Sequence, residues 1–510
     1  MRKSIGFSAF FTAVSLLLCL LGGCAPEAPE ESAVSLPDAS VEESAPAKEA
    51  TLSLSYNADD TLDPFATVSR ANLELASLLY EGLTRMDDKL TAQPALAASL
   101  KAEGTAVTAV LKTGARFSDG SAVTAADVVR SFQLAKKSPN YQVLLQNVRS
   151  ATANRDGTAV TFVLNGADVG YAACLSFPVI KASTATEKEG EAPIGSGLYR
   201  FADENTLTVN PYAGKTPGVT KVDLISVSDS NALVHALENG TLGYLFSDLY
   251  GGSVPYTTAA NAAADIHYLI FLGVNANRKA LSKTTVRQAL SLAADRELLA
   301  TEAMNGYARA ATAPFHPLRA DMTAEGLPLL KTDADVQAAK QLLSAAGYAT
   351  GLKTDKAGAE KLSLQLLVNA DNPFRVTTAA MLQIQCAAAG ITLTVTEKPY
   401  DEYLSLIKKG SFDLYLGEVK LPADGSLRSF FKSGGGTSYG VKTAGTCANA
   451  YGSYLTGALS LKEFLTVFGQ ELPFIPLNWQ KGMVAYRRSY QNITPSVLDP
   501  YYGLSDWDIN

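Results

Sequence analysis

The sequence predicts an α/β protein with more than one domain. Segments rich in β-branched and apolar residues alternate with segments of helical period, a pattern typical of strands interleaved with helices. The composition is that of a large soluble protein, with 47% hydrophobic and 18% charged residues. About 460 residues follow an unusual N-terminal segment, which is more than one hydrophobic core usually organises.

Period-two alternation or continuous apolar runs predict the strands. They are residues 51–56, 106–112, 159–165, 205–210, 221–228, 268–275, 362–369, 391–397, 412–419 and 473–478.

Two helices have clear boundary signals. One is predicted over 335–346 and ends at Gly347, and a second begins with Asn372 as cap and Pro373 in first position and ends at Gly390. Each precedes a predicted strand, as in βαβ units.

The N-terminus resembles a lipoprotein signal. Arg2 and Lys3 precede an apolar stretch, 5–21, and Leu21-Gly22-Gly23-Cys24 resembles the bacterial lipobox. We therefore expect residues 1–23 to be a signal peptide and Cys24 to be lipidated. An ordinary cleaved signal or a membrane-spanning helix is the alternative, but the apolar core is short for a span and no positive flank follows it.

Residues 24–50 predict a disordered linker after the lipidated cysteine, because Pro, Glu, Ser and Ala dominate them. The expected location is the outer face of the bacterial cytoplasmic membrane, or the periplasmic side where an outer membrane exists. The formal net charge is −7 and becomes −9 without the signal peptide, which argues against nucleic acid as a partner.

The cysteines do not form a disulfide framework. Cys174, Cys386 and Cys447 remain after Cys19 and Cys24 are assigned to the signal and the lipid site. Cys386 is expected to be a small buried hydrophobe, while a bond between Cys174 and Cys447 stays open.

No catalytic or metal motif is evident. The histidines, His235, His267 and His316, lie in no zinc-binding spacing, and Gly195-Ser196-Gly197 lacks the flanks of a nucleophile elbow. A phosphate-binding loop is also missing. The sequence predicts a non-enzymatic protein without a metal or cofactor.

Residues 114–133 carry the most specific motif. Asp119-Gly120 forms a turn, and Thr124 with Asp127 forms a capping-box-like pair at a helix start. The segment resembles the "FSDG…TA.DV..S" signature of bacterial extracellular solute-binding proteins of family 5, the oligopeptide, dipeptide and nickel binders of ABC transporters.

Further matches in the family's order cover nearly all of 51–510. They are Tyr56-Asn57 with 61–64, Leu79-Tyr80-Glu81-Gly82-Leu83, 94–97, 193–201, 286–290 through 295–296, 345–348, Phe412-Asp413-Leu414 and Ile475-Pro476-Leu477.

The resemblance implies a two-lobed, periplasmic-binding-protein-like α/β fold of the cluster C type, with a hinge, a central cleft and an extra subdomain in lobe I. Lobe I would comprise 51–70, 190–270 and 480–510, the insertion 71–189, and lobe II 271–479. The chain would cross between lobes near 274–275 and 478–479, where hinge residues would absorb the change in backbone angles.

The resemblance also implies capture of short peptides by a monomer and delivery to an ABC transporter permease. Alternatives are a non-peptide solute, such as a nickel chelate, haem, an opine or an oligosaccharide, or a peptide-sensing signalling role.

The same correspondence supplies the ligand-binding candidates. Glu418 falls where the family's peptide binders place a carboxylate for the ligand ammonium group; Asp424 is a weaker candidate and more typical of a turn. A pair between Glu418 and Lys420 is the simpler alternative. The other candidates are Tyr56, Asn57, Ser69, Arg70, Asn275, Asn369 and Trp479.

Overall fold

The computed structural model describes residues 50–185, 192–227 and 229–509. The predicted signal peptide, Cys24 and the linker up to residue 49 lie outside the described residues. Within the described ranges, no helix is long and apolar enough to cross a membrane.

The strands, in chain order, are β1 Thr51–Tyr56, β2 Thr84–Met86, β3 Ala92–Pro94, β4 Ala97–Glu103, β5 Ala106–Leu111, β6 Val148–Ala153, β7 Ala159–Leu164, β8 Tyr199–Asp203, β9 Thr206–Val209, β10 Lys221–Ser226, β11 Tyr244–Ser247, β12 Ala260–Val274, β13 Ala308–Ala310, β14 Leu362–Asn369, β15 Ile391–Lys398, β16 Leu414–Lys420 and β17 Phe474–Tyr486. The helices are α1 Arg70–Leu79, α2 Ala125–Ala135, α3 Ser230–Glu238, α4 Thr284–Ala293, α5 Arg296–Leu298, α6 Val336–Ala345, α7 Pro373–Ala388, α8 Tyr400–Lys408, α9 Arg428–Phe431, α10 Thr446–Leu455 and α11 Leu461–Glu471.

Helices and mixed sheets confirm the predicted α/β class. One sheet has the order β1-β10-β9-β8, and β4-β5-β7-β6 form a second, with β2 and β3 paired separately. The largest sheet runs β11-β17-β12-β16-β14-β15, with β13 beside β17. In it, β14 is parallel to β15 and β16, whereas β12 is antiparallel to β16 and β17.

Two large hydrophobic cores lie on either side of the long β12–β17 pair. One is built from residues between Leu269 and Trp479, and the other from residues between Leu52 and Ala264 together with residues from Val484 to Ile509. Both strands run from one core into the other. The pair is much longer than the predicted strands 268–275 and 473–478, because Ala260–Ala264 pair with Gly482–Tyr486 despite their weak intrinsic strand preference.

The two cores also meet through residues that lie outside these two strands. Asp168 Oδ2 pairs with Arg428 Nη2 at 2.7 Å, and the amide of Val169 donates to the Leu455 carbonyl at 2.9 Å. The Asp168 and Arg428 side chains are 2% and 16% exposed, so water screens this pair weakly. We refer to these two contacts as the distal contact.

The cap residues predicted for two helices form the expected hydrogen bonds. Thr124 and Asp127 form a capping box at α2, and the Asn372 side chain accepts the Arg375 amide at the start of α7. Asp424 forms a turn, since its Oδ1 accepts the Ser426 amide at 3.0 Å.

The cysteines at 174, 386 and 447 are buried and free. The Cys174–Cys447 bond that the sequence left open is therefore not formed, and the expectation that Cys386 is a buried hydrophobe on α7 is confirmed.

Candidate ligand-binding site

A cavity of about 320 Å³ lies beside β16, between the largest sheet, α8 and the loop at 436–439. Aromatic side chains form much of its wall: Tyr250, Tyr268, Phe271, Tyr400, Tyr403, Tyr415 and Tyr439. Its charged lining residues are Arg375, Glu418 and Lys420. Apolar walls with a few placed charges are typical of small-molecule sites.

Arg375 and Glu418, which both line this cavity, form an ion pair. Arg375 projects from the first turn of α7 and is 1% exposed, whereas the Glu418 side chain on β16 is 20% exposed. Arg375 Nη2 donates to Glu418 Oε2 and, at 2.8 Å, to Gln480 Oε1. The Glu418 charge is thus balanced within the protein, and the simpler alternative of a Glu418–Lys420 pair is wrong.

A second charged group borders the cavity next to Tyr268. Arg70, the first residue of α1, pairs with Glu74 at 2.8 Å and with Asp248 at 3.0 Å, and it donates to the Tyr268 hydroxyl at 3.1 Å. Burial raises the pKa of Glu74 to about 7, although Arg70 opposes this shift. The Arg70 charge is satisfied by protein carboxylates.

Lys420 differs from both arginines. It ends β16 opposite Tyr268 of β12, lines the cavity and is accessible to solvent. Within the described residues, the Lys420 ammonium makes no hydrogen bond and no ion pair. Partial desolvation by the surrounding cavity wall, with Arg70 as the next cause, lowers the pKa of Lys420 to about 8, although Glu74 and Asp248 oppose this shift.

Asn369 is the other predicted site residue, besides Glu418, that lines the cavity. It ends β14, and its side-chain oxygen accepts the Asp371 amide at 3.0 Å. Arg70 lies at the border of the site through Tyr268. These three predicted residues are the ones that the fold brings to this region.

The remaining predicted residues do not line the cavity. Tyr56 donates to Asn205, the Asn57 amide donates to Asn72, and Ser69 caps α1. The Asn275 side chain is buried and donates to the Phe412 carbonyl at 3.0 Å. Their roles in ligand binding stay predictions.

Trp479 also lies away from the cavity and is fully buried. Its ring stacks on His267 with centroids 5.7 Å apart and meets the edge of His316 at 4.8 Å. Burial lowers the pKa of His267 to about 3 and that of His316 to about 2, so both imidazoles are neutral at pH 7. The observed contacts of Trp479 are packing contacts.

Sequence reasoning missed Arg375 and the tyrosine walls. Arg375 lies at helical spacing with Ala379, Leu382 and Cys386 on the buried face of α7. A charged residue on a buried helix face indicates a buried ion pair, and this was the signal that the sequence offered. The tyrosines come from separate elements, so no local pattern could group them.

Comparison with known proteins places the chain in a family. Residues 91–438 match the family described as bacterial extracellular solute-binding proteins, family 5. The oligopeptide-binding protein AppA of Bacillus subtilis is 26% identical over 361 residues, covering 63% of this chain and 64% of AppA. The glutathione-binding protein GsiB of Escherichia coli is 27% identical, covering 60% of this chain and 63% of GsiB. The matched regions thus span less than two thirds of either relative.

Among solved structures, NikA from Brucella suis in complex with Fe(III)-EDTA has the same fold, with a TM-score of 0.68 and 19% identity. The match covers 90% of this chain and 99% of NikA. The chain therefore belongs to the bacterial extracellular solute-binding proteins of family 5, which confirms the predicted family, its two-lobed α/β fold and a binding protein rather than an enzyme.

Proposed function

We propose that this protein is the substrate-binding lipoprotein of an ABC importer and that it captures short peptides for delivery to a membrane permease. The observation that carries the proposal is the cavity beside β16, whose aromatic walls enclose a small number of charged groups. Family membership and the names of AppA and GsiB, an oligopeptide binder and a glutathione binder, support a peptide ligand.

The mechanism would be closure of two lobes on the ligand. The proposed lobes are those given by the resemblance, with hinges near Val274-Asn275 and Asn478-Trp479. The two cores on either side of β12 and β17 support this division. A ligand shifts such an equilibrium only through its higher affinity for the closed state, so scattering should show a more compact protein with ligand than without.

Membrane attachment is proposed through lipid on Cys24, with the protein working as a monomer on the outer face of the cytoplasmic membrane. Several acyl chains on one cysteine would anchor the protein stably, whereas a single chain would not. Cys24→Ser should move the protein from the membrane to the soluble fraction and abolish its labelling by radioactive palmitate. Retention of the variant in washed membranes would refute the anchor.

Non-peptide solutes are the second candidate class, since NikA, with the same fold, was solved with Fe(III)-EDTA. Native mass spectrometry of the full chain in mild detergent, followed by release of co-purified small molecules, separates the two classes. A ladder of peptide masses of mixed sequence is the expected result. A single non-peptide mass, or a metal-bearing one, would refute peptide transport.

A further inference from the structure

The three positively charged side chains at the cavity differ in their direct contacts. Arg375 is paired with Glu418, and Arg70 is paired with both Glu74 and Asp248. The accessible ammonium of Lys420 lines the same cavity, and across the described residues the contacts assign it neither a hydrogen bond nor an ion pair. The cavity thus offers a ligand an ammonium group whose donors are not used by the described protein groups, although the carboxylates of Glu74 and Asp248 act on it from a longer distance.

The position of Lys420 makes this charge costly. Lys420 is the register partner of Tyr268, the residue whose hydroxyl accepts from Arg70 and whose ring lies 5.9 Å from the Arg70 guanidinium carbon. Partial loss of solvent and the like charge of Arg70 disfavour the Lys420 ammonium, whereas Glu74 and Asp248 favour it. An incoming anion would offset the repulsion from Arg70 and accept hydrogen bonds from the ammonium.

Glu418 is less suited to hold a ligand cation. Arg375 already donates to one of its carboxylate oxygens, which leaves Oε1 as the free oxygen of a neutralised group. A ligand ammonium at Oε1 would also lie close to Lys420, two residues along the same strand face. The pairing of Glu418 with Arg375 and the unused donors of Lys420 therefore favour a ligand carboxylate over a ligand ammonium at this position.

We propose that Lys420 binds a carboxylate of the ligand, so that this cavity recognises the acidic end or an acidic side chain of a peptide. The inference rests on the proposed peptide-binding function and names the ligand group that the cavity selects. A Lys–carboxylate contact is a charge-assisted hydrogen bond, among the stronger polar contacts available to a protein.

The test uses the full chain in mild detergent and libraries of random three- to five-residue peptides. Three libraries differ only in their ends, which are free, N-acetylated or C-amidated, and a fourth is C-amidated and also lacks Asp and Glu. Native mass spectrometry and calorimetry measure capture by the wild type, by Lys420→Met, by Lys420→Arg and by Lys356→Met. Lys356 is an exposed control lysine outside the cavity.

We expect the C-amidated library without acidic residues to bind at least tenfold more weakly than the free library, and N-acetylation to change binding less than threefold. Lys420→Met should remove the preference, while Lys420→Arg and Lys356→Met should keep it. If C-amidated peptides bind only when they contain Asp or Glu, the carboxylate comes from a side chain; if they bind weakly regardless, it is the C-terminal group.

Equal capture of the free library and the amidated library without acidic residues would overturn the role of Lys420 and leave peptide binding intact. A tenfold loss on N-acetylation alone would assign the cavity to a ligand ammonium, and would also overturn it. Failure of every library to bind would instead overturn the proposed peptide function, and this inference with it.

Discussion

Replacing Arg375 by Met should destabilise the protein around the cavity. The change leaves Glu418 Oε2 and Gln480 Oε1 without their guanidinium partner at a position where Arg375 was 1% exposed. Removing one partner of a buried ion pair costs about 3–5 kcal/mol. Because the Glu418 side chain is 20% exposed and water can reach it, we expect the lower end, about 3 kcal/mol.

A double-mutant cycle isolates the pair from the general effect of losing Arg375. Glu418→Gln alone should cost about 3 kcal/mol, since it leaves the buried Arg375 without its counter-charge although the amide oxygen can still accept a hydrogen bond. The double variant should be less destabilised than the sum of the single variants by about 1 kcal/mol or more, because the residues are in direct contact.

Urea unfolding can be assigned to one core through tryptophan fluorescence. The chain has two tryptophans, and Trp479 lies in the core that contains β16 whereas Trp507 lies in the other. In a Trp507→Phe background, the fluorescence change therefore reports on the core around the cavity. Single-variant effects that add within about 0.3 kcal/mol would refute the Arg375–Glu418 coupling.

Three further predictions concern charge and packing. Affinity for free peptides should fall as the pH rises past about 8, because Lys420 without ligand then loses its proton; the groups that face it are Arg70, Glu74, Asp248, Tyr268 and Glu418. Calorimetry from pH 6 to 10 checks this, and an equal decline in Lys420→Met would contradict it. His267 and His316 stay neutral in the folded protein but gain protons when it unfolds, so the free energy of unfolding should fall below pH 6.5 by up to about 1.4 kcal/mol per pH unit for each histidine. In urea titrations at several pH values, His267→Gln should flatten this decline, and an unchanged slope would count against it. Trp479→Ala should cost about 3–5 kcal/mol in urea unfolding through lost packing, while Trp479→Phe should leave peptide affinity within about threefold; a tenfold loss by calorimetry would show that Trp479 contacts ligand.

The sequence predicted much of the fold because the relevant signals are local. The capping box at Thr124 and Asp127, and Asn372 with Pro373 at the start of α7, depend on residues that are close in the chain. The extent of β12 was not predictable in this way, since Ala260–Ala264 owe their strand conformation to pairing with residues more than 200 positions later.

The site was predicted less completely for the same reason. Glu418 and Asn369 were identified from the family correspondence and line the cavity, but the partner of Glu418 could not be read from its neighbours. Lys420 is two positions away and faces the same side, whereas the true partner, Arg375, is 43 positions away on another element. Partner choice followed the tertiary fold, and proximity in sequence was misleading.

The distal contact has a consequence for how fast a solute could be exchanged. A movement that separates the two cores can bend β12 and β17 without breaking them, but it must part Asp168 from Arg428. That rupture breaks a charge-assisted hydrogen bond before water has fully replaced it, so it adds to the barrier for opening and slows the escape of a trapped molecule. Because the pair is lost in the open form, weakening it would shorten the residence time and also lower the equilibrium affinity, even though neither residue touches the ligand cavity.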